Sequence, residues 1–173
     1  MKKIYLIAAI VLATMLLGTN ASAQRKTPVR KPTPRPTPIS LTMAEVRDAK
    51  TKASNQEFNV TKFTVILSSV ATSIEATDRE AKSKRLDKKV LDANAANKQK
   101  LLAAIKGLRT ALTNLETEFK TKPSLRRFSP RLEGITVLST QSEDLAYAGK
   151  FTQSKAPLDT VAQKLRETVA LMP

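Results

Sequence analysis

Two apolar stripes at helical spacing constrain this chain more than any other feature. Val60, Phe63, Leu67, Val70 and Ile74 recur at intervals of 3, 4, 3 and 4 residues, and Leu101, Ile105, Leu108, Leu112, Leu115 and Phe119 at 4, 3, 4, 3 and 4. That alternation keeps one side of an α-helix apolar over several turns, a face satisfied by packing against other helices. No segment alternates with the two-residue period of a strand, and no hairpin dipeptide occurs. Only 4 of the 173 residues are Gly, too few to punctuate a β-barrel or sandwich.

Punctuation divides the helical part. Thr42-Met43-Ala44-Glu45 has the form of a capping box, so a first helix is expected from about residue 42 to 76. Thr77-Asp78-Arg79-Glu80 is a second capping-box candidate, which places the first turn near Thr77; the Asn- and Asp-rich stretch from Asp92 to Asn97 is the rival position. A turn near Thr77 would set the strong stripe 60–74 against a weak one, unless later helices cover the 101–119 stripe. Lys122-Pro123 ends the second helix. Ser129 as N-cap with Pro130 behind it opens a third, carried by Leu132, Ile135, Leu138 and Leu145 to a left-handed cap at Gly149. Leu158, Val161, Leu165, Val169 and Met172 face inward on a last helix, where Pro157 is expected near the first turn. The expected fold is all-α: an up-down-up-down four-helix bundle with a longer helix 1–helix 2 hairpin, preceded by a disordered Pro-rich stalk.

The N-terminus reads as an export signal. Lys2 and Lys3 precede a 14-residue apolar run, Ile4 to Leu17, and Ala21-Ser22-Ala23 supplies the small-x-small pattern read by signal peptidase, with cleavage before Gln24. The rival is a retained anchor, but the run gives about 21 Å of helix against roughly 30 Å of hydrocarbon. The expected division is therefore a signal peptide over 1–23, a basic Pro-rich linker over 24–38 and a helical domain over 39–173, with a retained anchor as the alternative for the first segment. A periplasmic or secreted bacterial protein is expected, and one without Cys must hold its core without disulfides.

The linker, QRKTPVRKPTPRPTP, holds five prolines, which block helix and strand alike and favour extended polyproline II. It also carries Arg25, Lys26, Arg30, Lys31 and Arg35 and no acid. Such a run is either a solvated spacer or an electrostatic tether to an anionic surface such as lipid headgroups, lipopolysaccharide or wall polymers. A second acid-free stretch holds Lys120, Lys122, Arg126, Arg127 and Arg131. Bundle topology would bring it to the end from which the linker leaves, making these ten side chains the candidate anion-binding residues. The cluster Lys82, Lys84, Arg85, Lys88 and Lys89 is diluted by Asp78, Glu80 and Asp87 and belongs at the opposite end. Nucleic acid is a poor partner for an exported chain with 4% aromatic residues.

Catalysis finds no support. With no His and no Cys, zinc centres, iron–sulfur clusters and imidazole- or thiolate-dependent triads are excluded. Glu116/Glu118, Asp87/Asp92 and Glu143/Asp144 are acidic clusters without the Glu-x-x-His of helical di-metal sites, and Glu116 is spaced to pair with Lys120. The glycines are isolated, which excludes a phosphate-cradling loop. No cofactor is expected, and activity would have to be argued from a site. The function expected is that of an exported non-enzymatic interaction or structural protein, with an anionic envelope surface or an exported protein as partner.

Ser129-Pro130, Asp144-Leu145-Ala146 and Gly149-Lys150-Phe151, followed by an amphipathic helix, resemble the second half of cytochrome b562-type periplasmic four-helix bundles. The resemblance covers about a quarter of the chain and implies the architecture only. That family binds haem through a Met and a His; Met43 and Met172 are present here, but no His is. Leu41-Thr42-Met43-Ala44-Glu45 and Leu112-Thr113-Asn114-Leu115-Glu116 look like the Leu-Thr-x-x-Gln signature of the small helical Spy/CpxP stress chaperones, with Glu for Gln. The alternatives these imply are a periplasmic chaperone-like binder and a small-ligand-binding bundle of cytochrome-like descent without haem.

Overall fold

The computed structural model describes residues 38–173, and side chains from residue 42 onward. The expected signal peptide, and the linker up to residue 37 with Arg25, Lys26, Arg30, Lys31 and Arg35, lie outside the described residues. The described residues are all-helical: α1 (Pro38–Ser83), α2 (Lys88–Thr121), the one-turn α3 (Ser129–Leu132), α4 (Ile135–Tyr147) and α5 (Phe151–Leu171), with no strand among them.

Several boundaries differ from the sequence reading. α1 begins at Pro38, so Thr42 and Glu45 lie within the helix rather than at its cap. Proline is well suited to open a helix, because its missing N–H would have had no partner there. Nor does α1 stop near Thr77, whose hydroxyl donates to the Ser73 carbonyl at 2.9 Å and stays in the helix. The chain turns between Ser83 and Lys88, and Asp87 opens α2 by accepting from the Lys89 amide at 2.8 Å. The Asp92–Asn97 stretch is helical because Asn94 is buried against α1, donating to Asp78 at 2.7 Å. The expected third helix is broken. Ser129 is the first helical residue and not its cap; Glu133 turns extended, and Gly134 takes φ 85°, a left-handed state that needs glycine, before α4 starts. Gly149 closes α4 at φ 75°, as its position implied. Pro157 lies inside α5, in its second turn and buried.

α1 packs on α2 and α5, and α4 packs on the same two helices. Lys50 donates to the Met172 carbonyl (2.7 Å), Arg166 pairs with Glu57 (2.6 Å), and the Thr152 amide and hydroxyl both donate to Glu75 (2.8 and 2.9 Å). α5 thus runs antiparallel along the strong stripe of α1, while α4 covers that of α2. The later helices, not the turn position, resolve the mismatch between stripes.

The core follows the apolar spacing on α1, α2 and α5: Val60, Phe63, Leu67 and Ile74 meet Leu101, Ile105, Leu112, Leu115 and Phe119, with Leu158, Val161, Leu165 and Met172 opposite. α4 departs from expectation. Leu138 and Leu145 are only half-buried, and the buried face is Ile135, Ser139, Ser142 and Ala146. Both hydroxyls are satisfied, Ser139 donating to the Thr136 carbonyl of its own helix and Ser142 to the Ser154 carbonyl of α5, each at 2.8 Å.

The stripe makes a direct test. Leu67 is fully buried, whereas Val65, two residues away, is 67% exposed. Leu67→Ala should cost about 2–5 kcal/mol in urea denaturation, and Val65→Ala less than about 0.5.

Candidate functional site

The end of the domain that holds the start of α1, the end of α2 and the α2–α3 connection carries the cationic stretch Lys120–Arg131. Ser124 in that connection donates to Glu45 of α1 at 2.8 Å, so the two segments are in contact. Leu125 and Phe128 are buried and pin the connection to the core. Arg126, Arg127 and Arg131 are exposed and make no ion pair with any described residue, and the Arg127 guanidinium lies 4.6 Å from the centre of the Phe128 ring.

The stretch is acid-free in sequence but not in space. Lys120 pairs with Glu116 at 2.7 Å and Lys122 with Glu118 at 2.6 Å. Glu118 also reaches Lys52 of α1 at 3.1 Å, and Lys52 holds Asp48 at 2.8 Å. Burial pushes the Glu118 carboxyl up, but hydrogen bonds from Lys122 and Lys52 more than offset it and leave its pKa below the ordinary range. The two lysines are thus partly neutralised, and the three arginines carry the free charge.

Glu116 is the group the sequence reading placed only in part. Its pairing with Lys120 is local, but its carboxylate also accepts from the Gly134 amide (3.1 Å) and the Thr136 amide (2.9 Å), capping α4 from another helix. The α4 start has no cap of its own. Glycine at 134 was the only sequence signal of that vacancy. Burial pushes the carboxyl up, but bonds from Lys120, Thr136 and Gly134 outweigh it and hold its pKa at about 2 against an ordinary 4.5. The chaperone-like segment Leu112–Glu116 is absorbed in this way: Leu112 and Leu115 are core, Thr113 bonds the Arg109 carbonyl at 2.9 Å, and Glu116 is the cap.

At the far end, a cleft of about 740 Å³ opens between α1, α2 and the α4–α5 turn, with Arg79, Lys82, Lys98 and Lys150 on its walls. Of these, the sequence reading singled out Lys82 alone. The other three are scattered in sequence and converge only through the packing. No group of three or more His, Cys, Asp or Glu among the described residues could hold a metal ion, and no described helix is long and apolar enough to cross a membrane. Comparisons with known protein families, curated proteins and solved structures give no match to this chain.

A carboxyl whose pKa falls on folding stabilises the fold above its unfolded value and loses that contribution as pH drops through the folded one. For Glu116 the window runs from about 4.5 down to about 2. Glu116→Gln should therefore cost on the order of 3 kcal/mol at pH 7. The stability difference between wild type and variant should shrink as denaturation is repeated at lower pH within that window.

Proposed function

We propose that this is an exported, non-enzymatic interaction protein: an up-down-up-down four-helix bundle whose pole carrying Arg126, Arg127 and Arg131 contacts anionic components of the cell envelope. The three-part N-terminal pattern supports export, and the antiparallel contacts of α1 with α5 and α2 with α4 support the topology. The observation that carries the binding role is the group of exposed arginines without an ion pair to any described residue, Arg126 and Arg127 on the α2–α3 connection held against the start of α1 and Arg131 on α3. The linker expected at residues 24–38 carries five further cations in sequence.

A chaperone-like cradle is less well supported. The exposed large apolar residues are divided among α1, α2, α4 and α5, and one of them, Phe58, has the Lys62 ammonium 4.3 Å from its ring centre. A binding cradle calls for a contiguous patch of several hundred Å².

Each Lys or Arg near an anionic surface contributes about 1 kcal/mol, fading over roughly 10 Å at 0.1 M salt. Replacing Arg126, Arg127 and Arg131 with Gln should weaken co-sedimentation with phosphatidylglycerol-containing vesicles strongly at low salt and little at high salt. Replacing Lys84, Arg85 and Lys88 should do less, because Glu80 already pairs with Lys84. Equal losses from the two triple variants, or binding indifferent to salt, would overturn the proposal.

A further inference from the structure

The far-end cleft has four cations and two acids on its walls, and three of the cations make no ion pair with any described residue. On an isolated helix Glu75 would pair with Arg79 and Asp78 with Lys82, each acid four residues before its cation, the favoured orientation. Neither pair forms. Glu75 is drawn to α5, where it accepts from the Thr152 amide and hydroxyl at 2.8 and 2.9 Å. Asp78 is drawn to α2, where it accepts from Asn94 at 2.7 Å and pairs with Lys98 at 2.6 Å. Arg79 and Lys82 are left exposed and without an ion pair, and so is Lys150 across the opening.

We infer that this cleft is a binding site for a small multivalent phosphate-bearing ligand. The guanidinium of Arg79 suits the paired oxygens of a phosphate, and the ammonium groups of Lys82 and Lys150 add charge from two walls. At about 740 Å³ the opening exceeds what a single phosphate ion fills and falls within the range of small-molecule sites. Of the two acids lining it, Asp78 has Lys98 as counter-ion and Glu75 holds the neutral donors of Thr152, so the cations of the lining outnumber the acids by four to two. This site uses none of the residues of the Arg126–Arg131 pole, so either proposal stands without the other.

The test is isothermal titration calorimetry of the full chain with tripolyphosphate at roughly physiological salt, where loose ion clouds are screened. Saturable binding is expected, weakened roughly tenfold or more by the double change Arg79→Gln/Lys82→Gln. Lys84→Gln and the Arg126/Arg127/Arg131 variant should leave it unchanged. Absence of saturable binding, or equal weakening by Lys84→Gln, would overturn the inference. Circular dichroism of the double variant separates a binding loss from a folding loss, since both side chains are exposed. A parallel titration with phosphatidic acid vesicles identifies the source. Vesicle binding lost in the double variant assigns the phosphate to a lipid headgroup, and vesicle binding unaffected while tripolyphosphate binding falls assigns it to a free ligand.

Discussion

The packing of α4 on α2 depends on the carboxylate of Glu116. Breaking the third helix at Gly134 exposes the first amides of α4 inside the bundle, where water cannot easily serve them, and a buried donor without a partner is costly. Glu116 meets the Gly134 and Thr136 amides and keeps Lys120 as its counter-ion. Seven residues earlier on α2, Arg109 pairs with Glu143, itself seven residues beyond Thr136 on α4. Two polar contacts two turns apart on both helices fix their antiparallel register, which small, slippery side chains such as Ser139 and Ser142 would specify poorly alone.

The apolar residues of α1, α2 and α5 were legible in the sequence because each stripe keeps a helical period over a long, uninterrupted run. Of the residues expected inward on the last helix, Leu158, Val161, Leu165 and Met172 are buried and Val169 is packed against them. α4 was misread because its large side chains were taken as the guide. Leu138 and Leu145 fall on the flank, and the helix approaches α5 through serines and alanine instead. Small residues permit that approach, and hydroxyls that find carbonyls, Ser139 on its own helix and Ser142 on α5, make it tolerable in a core. A helix with Ser at its innermost positions carries no period that hydrophobicity can register.

The turn between α1 and α2 shows the same limit in another form. Thr77 and Asn94 have the chemistry of caps and turns, and both sit in helix, because Thr77 bonds back to Ser73 while Asn94 reaches Asp78 across the hairpin. A cap preference is worth about 1 kcal/mol, which a single tertiary contact can match. Boundaries are therefore decided by partners that a one-dimensional reading does not contain.

Charge follows a rule that connects the two ends of the domain. Lys52, Lys84, Lys120, Lys122 and Lys155 each pair with an acid four residues away. Two groups of cations lack such a partner for different reasons. Arg126, Arg127 and Arg131 lie where α2 has ended and have no acid at helical spacing on either side. Arg79 and Lys82 do have such acids, but tertiary contacts with α5 and α2 take them. The first kind of free charge could be found from sequence by looking for acid-free stretches. The second could not, because its cause is the packing of helices remote in the chain. Charge patterning along the sequence therefore identifies one end of this molecule as cationic and passes over a cleft at the other.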